Sequence, residues 1–524
     1  MKKNLLIIIG LIIANISLAQ TPFWTKTNYK GAFPVTDGTP NTDWASGWSN
    51  FDPQNTNYPT TTSELSSDVT SDLTISGSIL LKNKVYVRNG ATITILPGTT
   101  IRGDRSTQAC LIITRGSKII AQGTKTQPIV FTSNESIGNR TEGDWGGLVL
   151  LGRAINNQPG GEANIEGITP TENTRFGGSD DNDNSGILNY IRVEFAGIAL
   201  EPNKEINGIT FGSVGRGTQV DFIQVSYSGD DAYEWFGGSV DCKHLISYSG
   251  IDDDFDTDFG YHGRVQFAFS IRSKDMSDAA GDSNGFESDN DATGSSGTPV
   301  TSAVFSNVTL VGPKLDGSVM LPSGEKFEKA FRLRRNTSLS VLNTIVVGWE
   351  KGLSIEGTSS ELNVNSKSLV FANNTISGLN AGANCVTATS NFYSSFFGQN
   401  SNDTLTTLSQ IKFVRLSFSN PDLRLSDTTS LVASGADFTS EKFIGGFTTG
   451  VTLIKQKETL NIYPNPSSGS FTVDSKVNQD VQIYNSNGQL IHTSRTNQVI
   501  DLNMVPGIYF IRTLTNTQKL IITN

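Results

Sequence analysis

The chain has 524 residues, a formal charge of −10 at neutral pH, and 52 glycines against 17 prolines. That length holds one large elongated domain plus a small one, and an acidic surface repels phosphate backbones while suiting divalent cations, which argues against nucleic acid as a partner. Cys110, Cys242 and Cys385 are odd in number and far apart, which excludes a disulfide framework and leaves one bridge or three buried thiols.

Helix-forming runs are scarce, so the composition favours an all-β, turn-rich fold. Residues 1–19 carry Lys2-Lys3, an apolar run from Leu5 to Ile13 and the small-x-small close Ser17-Leu18-Ala19, the pattern of a signal peptide. The run is short for a bilayer span and nothing later looks transmembrane, so the mature chain is expected to lack such a segment. No Cys stands at the cleavage point, which argues against a lipoprotein. Residues 20–70 form an aromatic and polar segment with Phe23, Trp24, Tyr29, Phe33, Trp44, Trp48, Phe51 and Tyr58. Such aromatics pack as a lid on a neighbouring core or offer a carbohydrate-stacking platform.

Residues 71–450 change pattern to short apolar strands at near-regular intervals. Val85 to Val87, Thr92 to Ile95, Leu111 to Ile113, Ile119 to Ala121, Ile129 to Thr132 and Leu148 to Leu150 are separated by Gly-, Asn- and Thr-rich turns. They are too short for a sandwich and suit the coils of a solenoid. One phrase then recurs, ending at Gly197, Gly229 and Gly250. The second interval, 21 residues, matches one coil, and the first, 32 residues, implies an inserted loop. The run resembles right-handed parallel β-helix proteins, in which Gly-Thr followed by Pro-Ile-x-Phe-Thr-Ser is a common phrase, here Gly123-Thr124 and Pro128 to Ser133. Asn420 to Arg424 and Ala433 to Phe438 resemble the terminal coils of secreted members.

The chemistry-bearing residues cluster just after the repeated phrase. One coil supplies Asp230, Asp231 and Glu234, and the next supplies Asp252, Asp253, Asp254, Asp256 and Asp258. Residues one coil apart stack roughly 5 Å from each other, and carboxylates so crowded cost energy unless cations compensate. Calcium, a hard ion wanting six to eight oxygens, is the natural compensator, with solvated acidic turns as the alternative. Two loops read D-x-D-x-[ST]-G, with candidate oxygens from Asp181, Asp183 and Ser185 and from Asp289, Asp291 and Thr293. The spacing places positions 1, 3 and 5 around one ion, but the twelfth position is Arg192 or Val300 where an EF-hand has Glu. Isolated calcium loops and Asx-rich turns both fit. Among nearby basic residues, Arg264 is a candidate ligand-binding group, as are Arg332 and Arg334, which alternate away from Phe331 and Leu333. Arginines beside stacked carboxylates suggest the calcium-plus-base arrangement of β-helix polysaccharide lyases; salt bridges between coils are the other use. His244, His262 and His492 are scattered and form no zinc or triad motif.

Residues 451–459 serve as a linker to a terminal segment, residues 460–524. It contains Ile462-Tyr463-Pro464-Asn465-Pro466, alternating runs at Val481 to Tyr484, Ile508 to Ile511 and Leu520 to Ile522, and turns at Asn487-Gly488 and Pro506-Gly507. Alternation broken by such turns describes a small antiparallel β-sandwich. The wording is similar to the type A C-terminal sorting domain of the type IX secretion system. The resemblance implies an Ig-like sandwich read by that secretion machinery at the outer membrane of a Gram-negative bacterium, and a protein that is secreted or displayed on the cell surface.

The expected fold is therefore all-β, a right-handed parallel β-helix followed by a small Ig-like sandwich. The expected function is a glycan-binding, surface-binding or adhesin-like structural role with calcium-stabilised acidic loops. A calcium-dependent polysaccharide lyase or glycoside hydrolase on acidic glycans is the alternative.

Overall fold

The computed structural model describes residues 23–201, 204–278, 283–315, 320–377, 385–387, 401–404, 406–438, 460–475, 480–486, 489–513 and 517–523. The expected signal peptide and linker lie outside these residues. The chain forms two compact units, Met1–Gly446 and Phe447–Asn524.

The first unit is built on a 16-stranded and a 10-stranded sheet, with every pairing in both parallel. Parallel strands need a crossover between them, and here the chain alternates between the sheets. Gly147–Leu151, Ile209–Val214, Tyr233–Gly238, Phe255–Asp258, Phe286–Ser288 and Lys329–Leu333 stack in the smaller sheet. Gly186–Glu194, Gln219–Ser226, Asp241–Tyr248, Arg264–Ile271 and Val304–Val311 stack in the larger one. This is a parallel β-helix, and its repeat follows from period-two alternation: in Thr92–Ile95 and Lys84–Val87 every second side chain is buried. The inward residues of all coils join one continuous core, from Ile93 and Phe131 through Trp145, Phe211, Trp235 and Phe255 to Phe331 and Ile376. The loop expected between the first two repeated phrases is present as a hairpin of Ala199–Glu201 with Lys204–Glu205.

The long strands of the larger sheet each bend at one residue with positive φ, Tyr190, Phe222, His244, Phe267 and Asn307, and Asn343 does the same between the short strands Ser340–Leu342 and Ile345–Val347. Bulky residues rarely adopt this conformation, and stacking compensates. The rings of Tyr190, Phe222, His244 and Phe267 lie 4.4, 4.2 and 5.1 Å apart in succession. Asparagine, which tolerates the left-handed region, takes over where the aromatics stop.

The aromatic segment after residue 23 is a lid. Trp48 and Phe33 are buried, Phe33 and Trp44 pack on Phe269 at 5.4 and 5.5 Å, and Trp48 meets Phe222 edge-on. Asn307 fastens this lid by donating to the Tyr29 and Gly31 carbonyls at 3.0 and 3.2 Å. Asn420 to Arg424 and Ala433 to Phe438, expected as terminal coils, belong to a segment after Leu408 that instead joins the lid. Phe413–Arg415 pairs antiparallel with Asp422–Leu425, and Ile411, Leu423, Leu425 and Val432 share a core with Phe33 and Trp48. Their apolar residues cover the outer side of the larger sheet and do not extend the helix.

The second unit contains two antiparallel sheets. Asn461–Tyr463, Ser470–Asp474 and Val499–Asp501 form one; Leu490–Arg495, Asp480–Asn485, Gly507–Arg512 and Thr517–Ile522 form the other. Phe471, Val473, Val481, Ile483, Ile500, Ile511 and Leu520 make a separate core.

Candidate metal centre

A ladder of aromatic side chains inside the helix sets a row of charges outside it. In the smaller sheet Tyr233 pairs with Phe255, Phe255 with Phe286, and Phe286 with Phe331, the successive rings 5.6, 5.0 and 5.0 Å apart. The next residue of each strand points the other way, so Glu234, Asp256, Glu287 and Arg332 stand in register on the outer face. The turns preceding these strands add Asp230, Asp231, Asp252 and Asp253. Three sets of carboxylates each bring oxygens within 4.8 Å of one another: Asp230, Asp231 and Asp252; Asp231, Glu234 and Asp256; Asp253, Asp256 and Glu287. Asp231 and Asp256 belong to two sets each, so the ridge is continuous across three coils.

The backbone holds the ridge in place. Asp231 accepts from the Asp253 N–H at 2.8 Å, and Asp253 accepts from the Asn284 N–H at 2.6 Å. Beneath them Arg272 is almost fully buried. It donates to the carbonyls of Gly250 and Ile251 at 3.2 Å each, to that of Asn284 at 2.5 Å, and to that of Asp252. Its Nε lies 3.2 Å from buried Asp254, which also accepts from Ser247 at 2.7 Å. Asp254 is thus an anchor under the ridge and joins none of the three carboxylate sets. Asn207 donates to Glu234.

Burial pushes Asp231, Glu234, Asp252, Asp253 and Asp256 well above the ordinary carboxylate range, and the neighbouring carboxylates push in the same direction, opposed at Asp252 and Asp253 by Arg272. Glu287 rises to about 8 for the same reasons, in spite of the nearby Arg334 and Arg332. Asp256 Oδ1 is buried and accepts no hydrogen bond among the described residues. Crowded oxygen donors, an unsatisfied one among them, fit a hard divalent ion, whose metal–oxygen distances of about 2.3–2.6 Å bring its ligands within such a span of each other.

The other expected residues lie elsewhere. Asp258 continues the outward row of its strand and accepts from the Phe259 N–H at 2.6 Å, outside the three sets. Asp181 meets His262 Nε2 at 3.0 Å and accepts from the Ile155 N–H at 3.1 Å; Asp183 is buried beside Ser185. Asp289 is held by Arg334 at 3.0 Å and Arg335 at 2.7 Å. Asp291, although burial opposes it, is brought down to about 2 by hydrogen bonds from Ser295 and Thr293. Neither loop gathers its oxygens into a carboxylate set among the described residues. Arg332 pairs with Glu287 at 3.2 Å and Glu356 at 3.5 Å, and Arg334 with Glu287 and Asp289. Arg264 belongs to the larger sheet, where it grips Asp241 through two contacts of 3.0 and 2.5 Å. Glu287 and Arg272 are the contributors that local spacing did not single out. The signal for Glu287 is the recurrence of an aromatic followed by a charged residue at 233, 255, 286 and 331.

The architecture defines a parallel β-helix followed by a small unit of antiparallel sheets. Residues 64–412 match the family model described as pectate-lyase like beta helix domain, and residues 461–523 match that of the secretion system C-terminal sorting domain. The chain belongs to the pectate-lyase-like β-helix family. Its sorting domain indicates interaction with the type IX secretion machinery and a location outside the cell or on its surface. No curated protein matches the chain. No helix among the described residues is long and apolar enough to cross a membrane.

Proposed function

We propose that this is a surface or extracellular glycan-binding β-helix protein whose carboxylate ridge is held together by calcium. The observation that supports it best is the continuous set of Asp230, Asp231, Glu234, Asp252, Asp253, Asp256 and Glu287, with oxygens in each trio within 4.8 Å. Seven carboxylates cannot all ionise together without a compensating cation. A calcium ion supplies that charge and presents remaining coordination positions to an acidic sugar.

The polysaccharide lyase reading draws on one observation, that Arg332 and Arg334 stand next to Glu287. A lyase base must release its proton at working pH. Burial favours that release for Arg334, but the charges of Glu287 and Asp289 outweigh it and raise its pKa. Binding is therefore the better supported role. Calorimetric titration of calcium into the exported protein should show saturable binding that weakens at least tenfold in Asp256→Asn combined with Glu234→Gln. Absorbance of unsaturated products on acidic polysaccharides should stay flat with and without calcium; a calcium-dependent rise would establish the lyase instead.

A further inference from the structure

The second unit, the smaller of the two, holds seven of the thirteen exposed large hydrophobic side chains among the described residues. Val481, Ile483, Ile511 and Leu520 turn inward from its four-stranded sheet, so by alternation their neighbours turn out. In register on that outer face stand Leu490, Tyr484, Phe510 and Lys519, one from each strand. On one flank of this row Ile508 pairs with Ile521, and on the other Gln482 pairs with Arg512. Leu490, Ile508 and Phe510 are 47, 44 and 40 % exposed. A contiguous apolar face held out to water marks an interaction site.

The charges around the face choose its counterpart. Arg512 and Lys519 are exposed, and neither is in ion-pair contact with a carboxylate among the described residues. Residues 460–524 carry four basic and three acidic side chains, a formal +1, in a chain whose total is −10. A second copy meeting the face about a two-fold axis would set cation against cation. An apolar centre with unpaired cations at its rim instead fits an anionic lipid surface, where apolar side chains enter the acyl boundary while Lys and Arg reach the headgroups. Tyr484, an aromatic ring whose hydroxyl donates to Gln482 at 2.8 Å, is a residue type favoured at such a boundary.

We propose that the outer face of this four-stranded sheet docks on the surface of a phospholipid bilayer. Leu490, Ile508 and Phe510 enter the apolar boundary, and Arg512 and Lys519 lie on anionic headgroups. The contact is separate from recognition by the secretion machinery, and it depends neither on the glycan-binding role nor on the carboxylate ridge.

The test is flotation of the purified full chain with vesicles of phosphatidylglycerol and phosphatidylethanolamine, or of phosphatidylcholine alone. Chelator is present throughout, so that calcium cannot bridge the carboxylate ridge to lipid. Binding to the anionic vesicles is expected, at least tenfold stronger than to phosphatidylcholine and weakened by salt. Leu490→Ser combined with Phe510→Ser should weaken it at least tenfold, and Arg512→Gln combined with Lys519→Gln should erase the preference for anionic vesicles. Val499→Ser, at a position 70 % exposed on the other sheet, should change nothing, and every variant should keep the melting profile of the unaltered chain. No binding to either vesicle would overturn the proposal, as would binding indifferent to the Leu490 and Phe510 substitutions. A dimer in sedimentation that the same double variant dissolves, without vesicle binding, would overturn it and make the face a contact between copies. An export defect of that variant without vesicle binding would overturn it and make the face a protein-docking surface.

Discussion

Asp254 and Arg272 show how a single buried pair can govern a site it does not enter. The guanidinium ties three carbonyls of the turn that carries Asp252 and Asp253 to that of Asn284 in the next coil, and buried Asp254 is the carboxylate in ion-pair contact with it. Removing one partner of such a pair leaves an uncompensated charge and costs about 3–5 kcal/mol. Asp254→Ala should therefore destabilise the helix by that amount in denaturant unfolding, whereas Asp258→Ala should cost little. Sequence spacing made the run from Asp252 to Asp258 stand out but gave Asp254 the same role as its neighbours. The distinction depends on Arg272, which arrives from the end of another strand, and local order carries no trace of that contact. The D-x-D-x-[ST]-G loops illustrate the same limit. Their oxygens match calcium spacing locally, yet Asp181 turns to His262 and Asp289 to Arg334 and Arg335, all distant in sequence.

At the level of strands, the site depends on what lies on the other face of the sheet. The ladder of Tyr233, Phe255, Phe286 and Phe331 fixes register, and a slip by one residue would turn Glu234, Asp256 and Glu287 inward. Phe255→Ala should cost about 3–5 kcal/mol by opening a cavity and should also weaken calcium binding, while Phe255→Leu should retain most of both. Chemical denaturation and calcium titration of the two variants check this. The repeated strand phrases were legible because coils of similar length kept them at similar spacing. Glu287 was missed because inserted loops stretch the intervals between 233, 255, 286 and 331 unevenly, hiding a repeat that is regular in space. The aromatic segment near the start reads first as a lid, with a stacking platform as the sharper alternative; the burial of Trp48 and Phe33 decides for the lid.

For the whole molecule, the solenoid and the sorting unit have separate cores, so each should unfold on its own. A chain ending at Gly446 should keep the calcium affinity and the main calorimetric transition of the full protein, losing only a smaller one. The solenoid's overall plan was readable from short strands and turns because each coil repeats the same local problem. Its balance of charge is a collective property of three coils and sets how stability depends on pH. Glu287, near 8 when folded, titrates at about 4.3 when unfolded; between those values the metal-free folded state holds more protons, so stability falls as pH rises through that window. Calcium displaces those protons and should remove the fall.

Thermal unfolding of the exported protein at pH 5 and pH 8, with calcium and with chelator, tests the calcium ridge most directly. At pH 8, calcium at a hundredfold excess over its Kd should contribute about 2.7 kcal/mol and raise the melting temperature by several degrees over the chelated protein, with a smaller difference at pH 5. A melting temperature that chelator leaves unmoved at pH 8 would contradict the account.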